Sequence, residues 1–324
     1  MIAIALIGIA AGCASALMFA SMISGVLISL LLIYLAPLPL MVAALGWGPL
    51  SATIGGITAA TVLGAIFGLP FCIVFAVTVA LPAWWLGHLV LLGRPIAGGV
   101  SSGNGAEPVA PILEWYPIGR ILLWLSGFAA LNTMAGLLAF GTDVAAVSGA
   151  LRESLLLFLG QRDTAAPPEI DQLVNMLVTI APSLGAISVM MMLTFNLWLA
   201  AKITATSGRL HRPWPDLKSA ALPPLTLPTL CAAIAFCFAG GLLAILAQII
   251  TAVLMMAYAL TGFAVLHTLT LALKSRALWL GCTYAIVVLF VWPVVAMVVL
   301  GIADAIFGFR QRYLQGRPPP LPTS

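Results

Sequence analysis

Nine apolar runs of about twenty residues dominate this chain, at 2–24, 26–46, 48–68, 70–92, 118–140, 172–201, 226–246, 248–273 and 277–303. A helix of that length matches the roughly 30 Å hydrocarbon core of a bilayer. Backbone in lipid must satisfy its own hydrogen bonds, which a helix does within one segment. The pattern therefore predicts an all-α polytopic transmembrane helical bundle of about eight or nine helices, with the lipid bilayer as its solvent. Hydrophobic residues make up 63% of the chain and charged residues 7%. Soluble domains carry roughly 25% charged residues, so this chain cannot cover a water-facing surface. The net charge of +4 sits in short basic clusters between the runs. That placement suits topology signals rather than nucleic-acid binding.

The five cysteines (Cys13, Cys72, Cys231, Cys237, Cys282) lie inside apolar runs without a CxxC pair and are expected as small buried hydrophobes. Ala10-Ala11-Gly12-Cys13 faintly resembles a lipoprotein cleavage box. No basic segment precedes it and the apolar run continues to Ile23, so a first spanning helix is expected instead.

The expected organisation is a four-span membrane unit over 1–92 and a flexible linker over 93–117, rich in Gly, Ser and Pro. Membrane helices over 118–312 and a Pro-rich tail over 313–324 follow. Trp115-Tyr116-Pro117 with Arg120 suits an interfacial anchor. A surface helix is expected near 143–160, where Arg152 and Glu153 flank Leu155-Leu156-Leu157-Phe158. Pro168, Glu169 and Asp171 suit a helix start. Nine spans with the N-terminus inside place Arg94, Arg120, Lys202, Arg209, Arg212, Lys218, Lys274 and Arg276 in the cytoplasm and the acidic 141–171 segment outside. The same count expels Arg310, Arg312 and Arg317. A re-entrant segment within 226–273 would bring the tail in, but would expel Lys274 and Arg276.

Gly48, Ala52, Gly56, Ala60, Gly64 and Gly68 recur every four residues in the third run, and Gly12, Ala16, Ala20 and Ser24 do so in the first, beside Ala10 and Ala14. Small residues on one helix ridge let another backbone approach closely. The ridges suit packing of these helices on each other or docking of a partner membrane protein. Tyr34-Leu35-Ala36-Pro37-Leu38-Pro39-Leu40 reads as a break, because two prolines remove donors and disfavour helix before them. Such a break is either an ordinary kink or the border of a substrate site.

Asn132, Asn196, Gln248 and His267 lie well inside apolar runs. Tyr258, Thr261 and Thr268 share one helix stripe, and His267 points away from it. With Tyr34, Pro37 and Pro39, the residues Asn132, Asn196, Gln248, Tyr258 and His267 are candidates for a small-molecule cavity. The alternative is interhelical hydrogen bonding. Trp84-Trp85 with His88 reads as an aromatic belt. Asp304, Arg310 and Arg312 form a C-terminal polar cluster that suits ion pairing or bundle capping. HExxH, GxSxG and Walker patterns do not occur, and the three histidines lie in separate segments, so neither catalysis nor a metal or cofactor is expected.

Pro37-Leu38-Pro39-Leu40, then Leu45-Gly46-Trp47-Gly48 and a Gly/Ala-rich helix, resembles the second and third helices of S components of energy-coupling-factor vitamin transporters. Most of the chain is similar to the YybS-like family of predicted bacterial membrane proteins, through Trp115–Arg120, Thr261–His267 and Leu300–Asp304 with Arg310 and Arg312. The resemblance implies an S-component-like N-terminal half and a location in the cell's inner (plasma) membrane. It also implies a substrate-binding transport subunit partnered by a T subunit and ATPases. Ala10/Ala14 or Ala16/Ala20 would be its docking positions. The chain is longer than a six-helix S component and shows no vitamin-binding signature. An envelope scaffold that binds other membrane proteins through its small-residue faces is the alternative.

Overall fold

The computed structural model describes residues 1–96, 112–160, 167–216 and 220–315. The fold is all-α, apart from one short hairpin among the described residues. Among the described residues, seven helical stretches are long and apolar enough to cross a membrane: Ile2–Ser24, Leu27–Trp47, Pro49–Phe67, Leu69–Leu91, Ile118–Leu138, Pro168–Thr206 and Gly241–Leu269. The chain divides into two compact units, one of Met1–Phe128 with Met191–Pro215, the other of Ala129–Met190 with Asp216–Ser324. The division falls inside two helices, α7 (Ile118–Leu138) and α9 (Pro168–Thr206).

The first unit is built on the contact of α1 (Ile2–Ala20) with α4 (Pro49–Phe67). A Cβ added to Gly8 would lie 2.6 Å from the Ser51 carbonyl oxygen, and one added to Gly55 would lie 2.7 Å from that of Gly8. Gly12 meets the backbone of Gly55 in the same way. The buried ridge of α4 is thus Ser51, Gly55, Ala59 and Leu63, one residue away from most of the expected set. Of that set, Ala52 is buried. Gly56 and Gly64 instead face the next span, 3.4 Å from Ala80 Cβ and 3.2 Å from Cys72 Cβ by the same construction. Ala60 is half-buried. In α1, Gly12 and Ala16 are buried and Ala20 half-buried, but Ala10 is exposed. Gly12, Gly56 and Gly64 of these ridges pack inside the unit, while Ala10 does not.

Gly48 and Gly68 do not belong to the ridge. Their φ values of 92° and 91° end one helix and begin the next, a conformation an L side chain resists. The prolines at 37 and 39 do not unwind the second span: α2 (Leu27–Leu35) and α3 (Pro37–Trp47) are separated only by Ala36, which keeps helical φ and ψ of −55° and −35°, so the expected break is a kink. The fourth span comprises α5 (Leu69–Phe75), a π-helical turn over Ala76–Ala80 and α6 (Leu81–Leu91). Pro82, lacking an N–H, lies two residues past the end of that turn, and π-bulges are a usual way to absorb such a lost donor.

Residues 93–117 are not wholly a linker. β1 (Gly93–Ile96) pairs antiparallel with β2 (Ile112–Trp115), Arg94 opposite Glu114. The Gly/Ser-rich stretch between them lies outside the described residues. At this end of the unit Arg209 lies over the Trp47 ring at 4.7 Å, Lys202 over Trp214 at 5.3 Å and Arg120 over Tyr116 at 5.9 Å. Trp85 packs edge-on against Trp124, while Trp84 stacks on His88.

In the second unit the segment expected as a surface helix is α8 (Val144–Phe158), and Arg152 bonds Asp171 and Asn175 in the first turns of α9. Two expected spans are corrected. The run at 226–246 is interrupted: α10 (Thr226–Phe236) ends, Gly240 and Gly241 take positive φ, and α11 runs unbroken over Gly241–Leu269. Eleven residues of α10 rise ~16 Å, too little to cross. The run at 277–303 breaks at Val291–Pro293 into α12 (Arg276–Phe290) and α13 (Val294–Phe307). α14 (Phe309–Gln315) extends beyond the expected tail boundary at 313, and residues 316–324 lie outside the described set. Lys218 and Arg317 also lie outside it. The cysteines depart from expectation too. Cys13, Cys231 and Cys282 are exposed on apolar helix surfaces, and Cys72 and Cys237 are half-buried. A thiol is apolar enough for a lipid-facing position, so an apolar run does not imply burial within protein.

Candidate functional site

α13 is apolar except for Asp304, one turn from its end. Gly308 closes the helix in the left-handed region at φ 65°, a position glycine occupies without steric penalty. That turn swings α14 back, so that Arg310 meets Asp304. The carboxylate accepts from the Arg310 backbone N–H at 2.9 Å and from its Nε at 2.7 Å, and Arg310 Nη2 lies 2.7 Å from Oδ2. Arg310 Nη1 donates to the Ala220 carbonyl at 3.0 Å. Asp304 is 7% exposed and Arg310 6%. Taking both ions out of water costs several kcal/mol each, recovered only where geometry and extra hydrogen bonds are good. Here the carboxylate accepts at both oxygens and the guanidinium donates to both carboxylate and carbonyl.

This pair lines a cavity of about 500 Å³, together with Tyr258 and Thr261 of α11, Gly301 of α13 and the 221–227 segment. Beside the cavity α11 and α13 cross closely. A Cβ on Gly262 would collide with the Met297 carbonyl, and one on Gly301 with the Tyr258 carbonyl. Tyr258, Thr261 and Thr268 are all nearly fully buried, on the stripe the periodicity indicates. Thr261 Oγ1 donates to the Tyr258 carbonyl at 2.9 Å. Pro223 and Pro224 wall the opposite side.

The remaining candidates are not gathered here. Arg312 is exposed and outside the ion pair, because α14 turns it away from Asp304. Gln248 is half-buried on α11, ten residues or ~15 Å along the helix from Tyr258. His267 bonds the Tyr284 hydroxyl at 2.8 Å on an exposed face, and Asn132 is half-buried in α7. In the first unit Asn196 reaches the proline kink: its Nδ2 donates to the Tyr34 carbonyl at 2.7 Å and to Met192 at 2.8 Å. Ser15 donates to the Ala36 carbonyl at 2.6 Å. Neighbouring side chains thus satisfy backbone disturbed by Pro37 and Pro39. Pro37 is buried, Pro39 half-buried, and the Tyr34 side chain exposed. Sequence reasoning missed Gly262, Gly301 and the carbonyl of Ala220. Gly301 and Ala305 carry the same four-residue small spacing that marked the first and third runs.

Compared with known proteins, the chain matches no family model, no curated protein and no solved structure.

Proposed function

We propose that this is a non-enzymatic, multi-pass protein of the cell's inner (plasma) membrane. It binds a small solute in the cavity beside Asp304 and Arg310 and serves as a substrate-binding transport subunit. The meeting of Tyr258, Asp304 and Arg310 at one cavity of about 500 Å³ carries this reading. Small-molecule sites typically enclose ~300–1,000 Å³, mostly apolar with a few convergent polar groups. An ionisable residue among apolar membrane helices points to function by default. In this reading the first four spans are the S-component-like half, α12 and α13 together contribute the eighth crossing, and a T subunit with paired ATPases are the partners.

Affinity purification from membranes, followed by a thermal-shift screen of small carboxylates, zwitterions and vitamin-like compounds, tests it. T subunit and ATPases should copurify, and a compound should raise Tm in the wild type but not in Tyr258→Phe or Asp304→Asn. A lone chain with no responsive compound would overturn the reading. A second reading, an envelope scaffold, is favoured by α12, none of whose residues is buried and where Trp279, Val288 and Leu289 are all exposed. Crosslinking from α12 to a membrane protein outside any ATPase-driven transporter would support that alternative.

A further inference from the structure

Among the described residues, one end of the first unit gathers Arg94, Arg120, Lys202, Arg209 and Arg212. Four of these are accounted for by their neighbours. Arg209 and Lys202 lie over tryptophans, Arg94 pairs with Glu114 at 2.6 Å with both side chains at least half exposed, and exposed Arg120 lies over Tyr116. Arg212 differs. It is 8% exposed, and its hydrogen bonds go to two neutral acceptors, the carbonyls of Val90 at 3.1 Å and Tyr116 at 3.0 Å. Burial lowers its pKa from the ordinary arginine value, the sign that its charge is held at a cost. A buried charge is ordinarily paired with an opposite one.

A cavity of about 420 Å³ lies against the same backbone. It is lined by Arg94, Glu114, Trp115, Tyr116 and Arg120. Arg212 contacts two of its wall residues, Tyr116 through the hydrogen bond and the Trp115 ring at 6.0 Å. Three guanidinium groups therefore surround or back this cavity, and one carboxylate, Glu114, opposes them. Guanidinium forks match phosphate oxygens. Leu92, just before the hairpin, and Leu113, within it, are 42% and 49% exposed, and Trp47, Trp115 and Trp214 lie at the same end of the unit. Indole rings settle at headgroup depth.

We propose that this cavity binds the phosphodiester headgroup of an anionic phospholipid, Arg94 and Arg120 contacting the phosphate and Arg212 supplying unpaired positive charge behind Trp115 and Tyr116. The apolar flank favours a lipid over free phosphate as the source of the anion. The site is separate from the Asp304 cavity and does not depend on the solute reading.

The test is thermal unfolding of the full chain in neutral detergent at fixed ionic strength, with phosphatidylglycerol, phosphatidylcholine or inorganic phosphate added. Phosphatidylglycerol at saturation should raise Tm by about 5 °C, and the other two should not. R94Q/R120Q should lose that rise while keeping its starting Tm, since both side chains are exposed. E114Q should enlarge the rise, and K274Q, at an exposed lysine of the other unit, should leave it unchanged. Equal response to both lipids, or a phosphatidylglycerol response that survives R94Q/R120Q, would overturn the proposal. An equal rise with inorganic phosphate, lost in R94Q/R120Q, would overturn the lipid source in favour of a free-phosphate site.

Discussion

Gly55→Ala isolates the crossing of α1 and α4. The new methyl would sit 2.7 Å from the Gly8 carbonyl oxygen and 2.8 Å from Leu40 Cδ2. Leu40 can rotate, but the carbonyl belongs to helix backbone and can move only with α1. Ordinary contact lies near 3.5 Å, so the helices must part by about 0.8 Å. A gap of 0.5–1 Å forfeits roughly a quarter to a half of each dispersion contact along the crossing. Lipid gives no hydrophobic return for the loss. Overpacking costs about 1–3 kcal/mol, against which alanine regains up to ~1 kcal/mol of helix propensity. Measured against a glycine-to-alanine change that meets no clash, the loss is about 1–3 kcal/mol, or a Tm lower by roughly 2–12 °C. Gly136→Ala and Gly281→Ala make the same chemical change on helices where nothing lies within 4 Å of the new methyl. Those two should hold or slightly raise Tm. Unfolding in detergent, followed by tryptophan fluorescence, reads all three. If Gly55→Ala melts with the two controls, α1 and α4 are not in close backbone contact and the packing account of the first unit fails.

Gly56→Leu should lower Tm through a clash with Ala80, at about 1–3 kcal/mol, while Ile57→Leu, at an exposed position, should be silent; equal melting of the two would place that face in lipid. Asp304→Ala strands the buried Arg310 guanidinium and should cost on the order of 3–5 kcal/mol, and adding Arg310→Leu should restore much of it; a double variant no better than the single would argue against a direct pair. Asn196→Leu uncovers the Tyr34 carbonyl and should cost about 1–3 kcal/mol, read as a lower melting point in detergent. A reporter inserted in 202–225 should read cytoplasmic and one in 141–171 extracytoplasmic; a shared side would mean that α9 does not cross.

Apolar length alone located the first five spans and the α9 crossing, because bilayer thickness sets a length that composition reports directly. The breaks were harder to read. Pro37 and Pro39 announced a kink, since a missing N–H is visible in sequence. Gly240-Gly241 and Pro293 carry breaker signals of the same kind, but each lies inside an apolar run of spanning length, and length was allowed to outweigh them. The ridge of α4 was misplaced by one residue because Gly55 and Gly56 are adjacent and both small. Only the partner decides which of two neighbouring stripes meets which helix, and here α1 takes one and the 69–91 span the other. Tyr258 and the Asp304–Arg310 pair were legible as polar residues in apolar company. Their meeting was not, because it depends on the left-handed turn at Gly308 and on two carbonyls that a glycine-free crossing would hold apart.

The single-residue turns at Gly48 and Gly68 bear on how this protein reaches its membrane. With one glycine between α3 and α4, and another between α4 and α5, no loop exists there for a translocation machine to hold on one side. No Lys, Arg, Asp or Glu precedes Arg94, so these helices carry no charge of their own to orient them. The turns at Gly48 and Gly68 thus tie the direction of each helix from Pro37 to Leu91 to that of its neighbour, and the first residues that can set that direction by the positive-inside rule are Arg94 and Arg120.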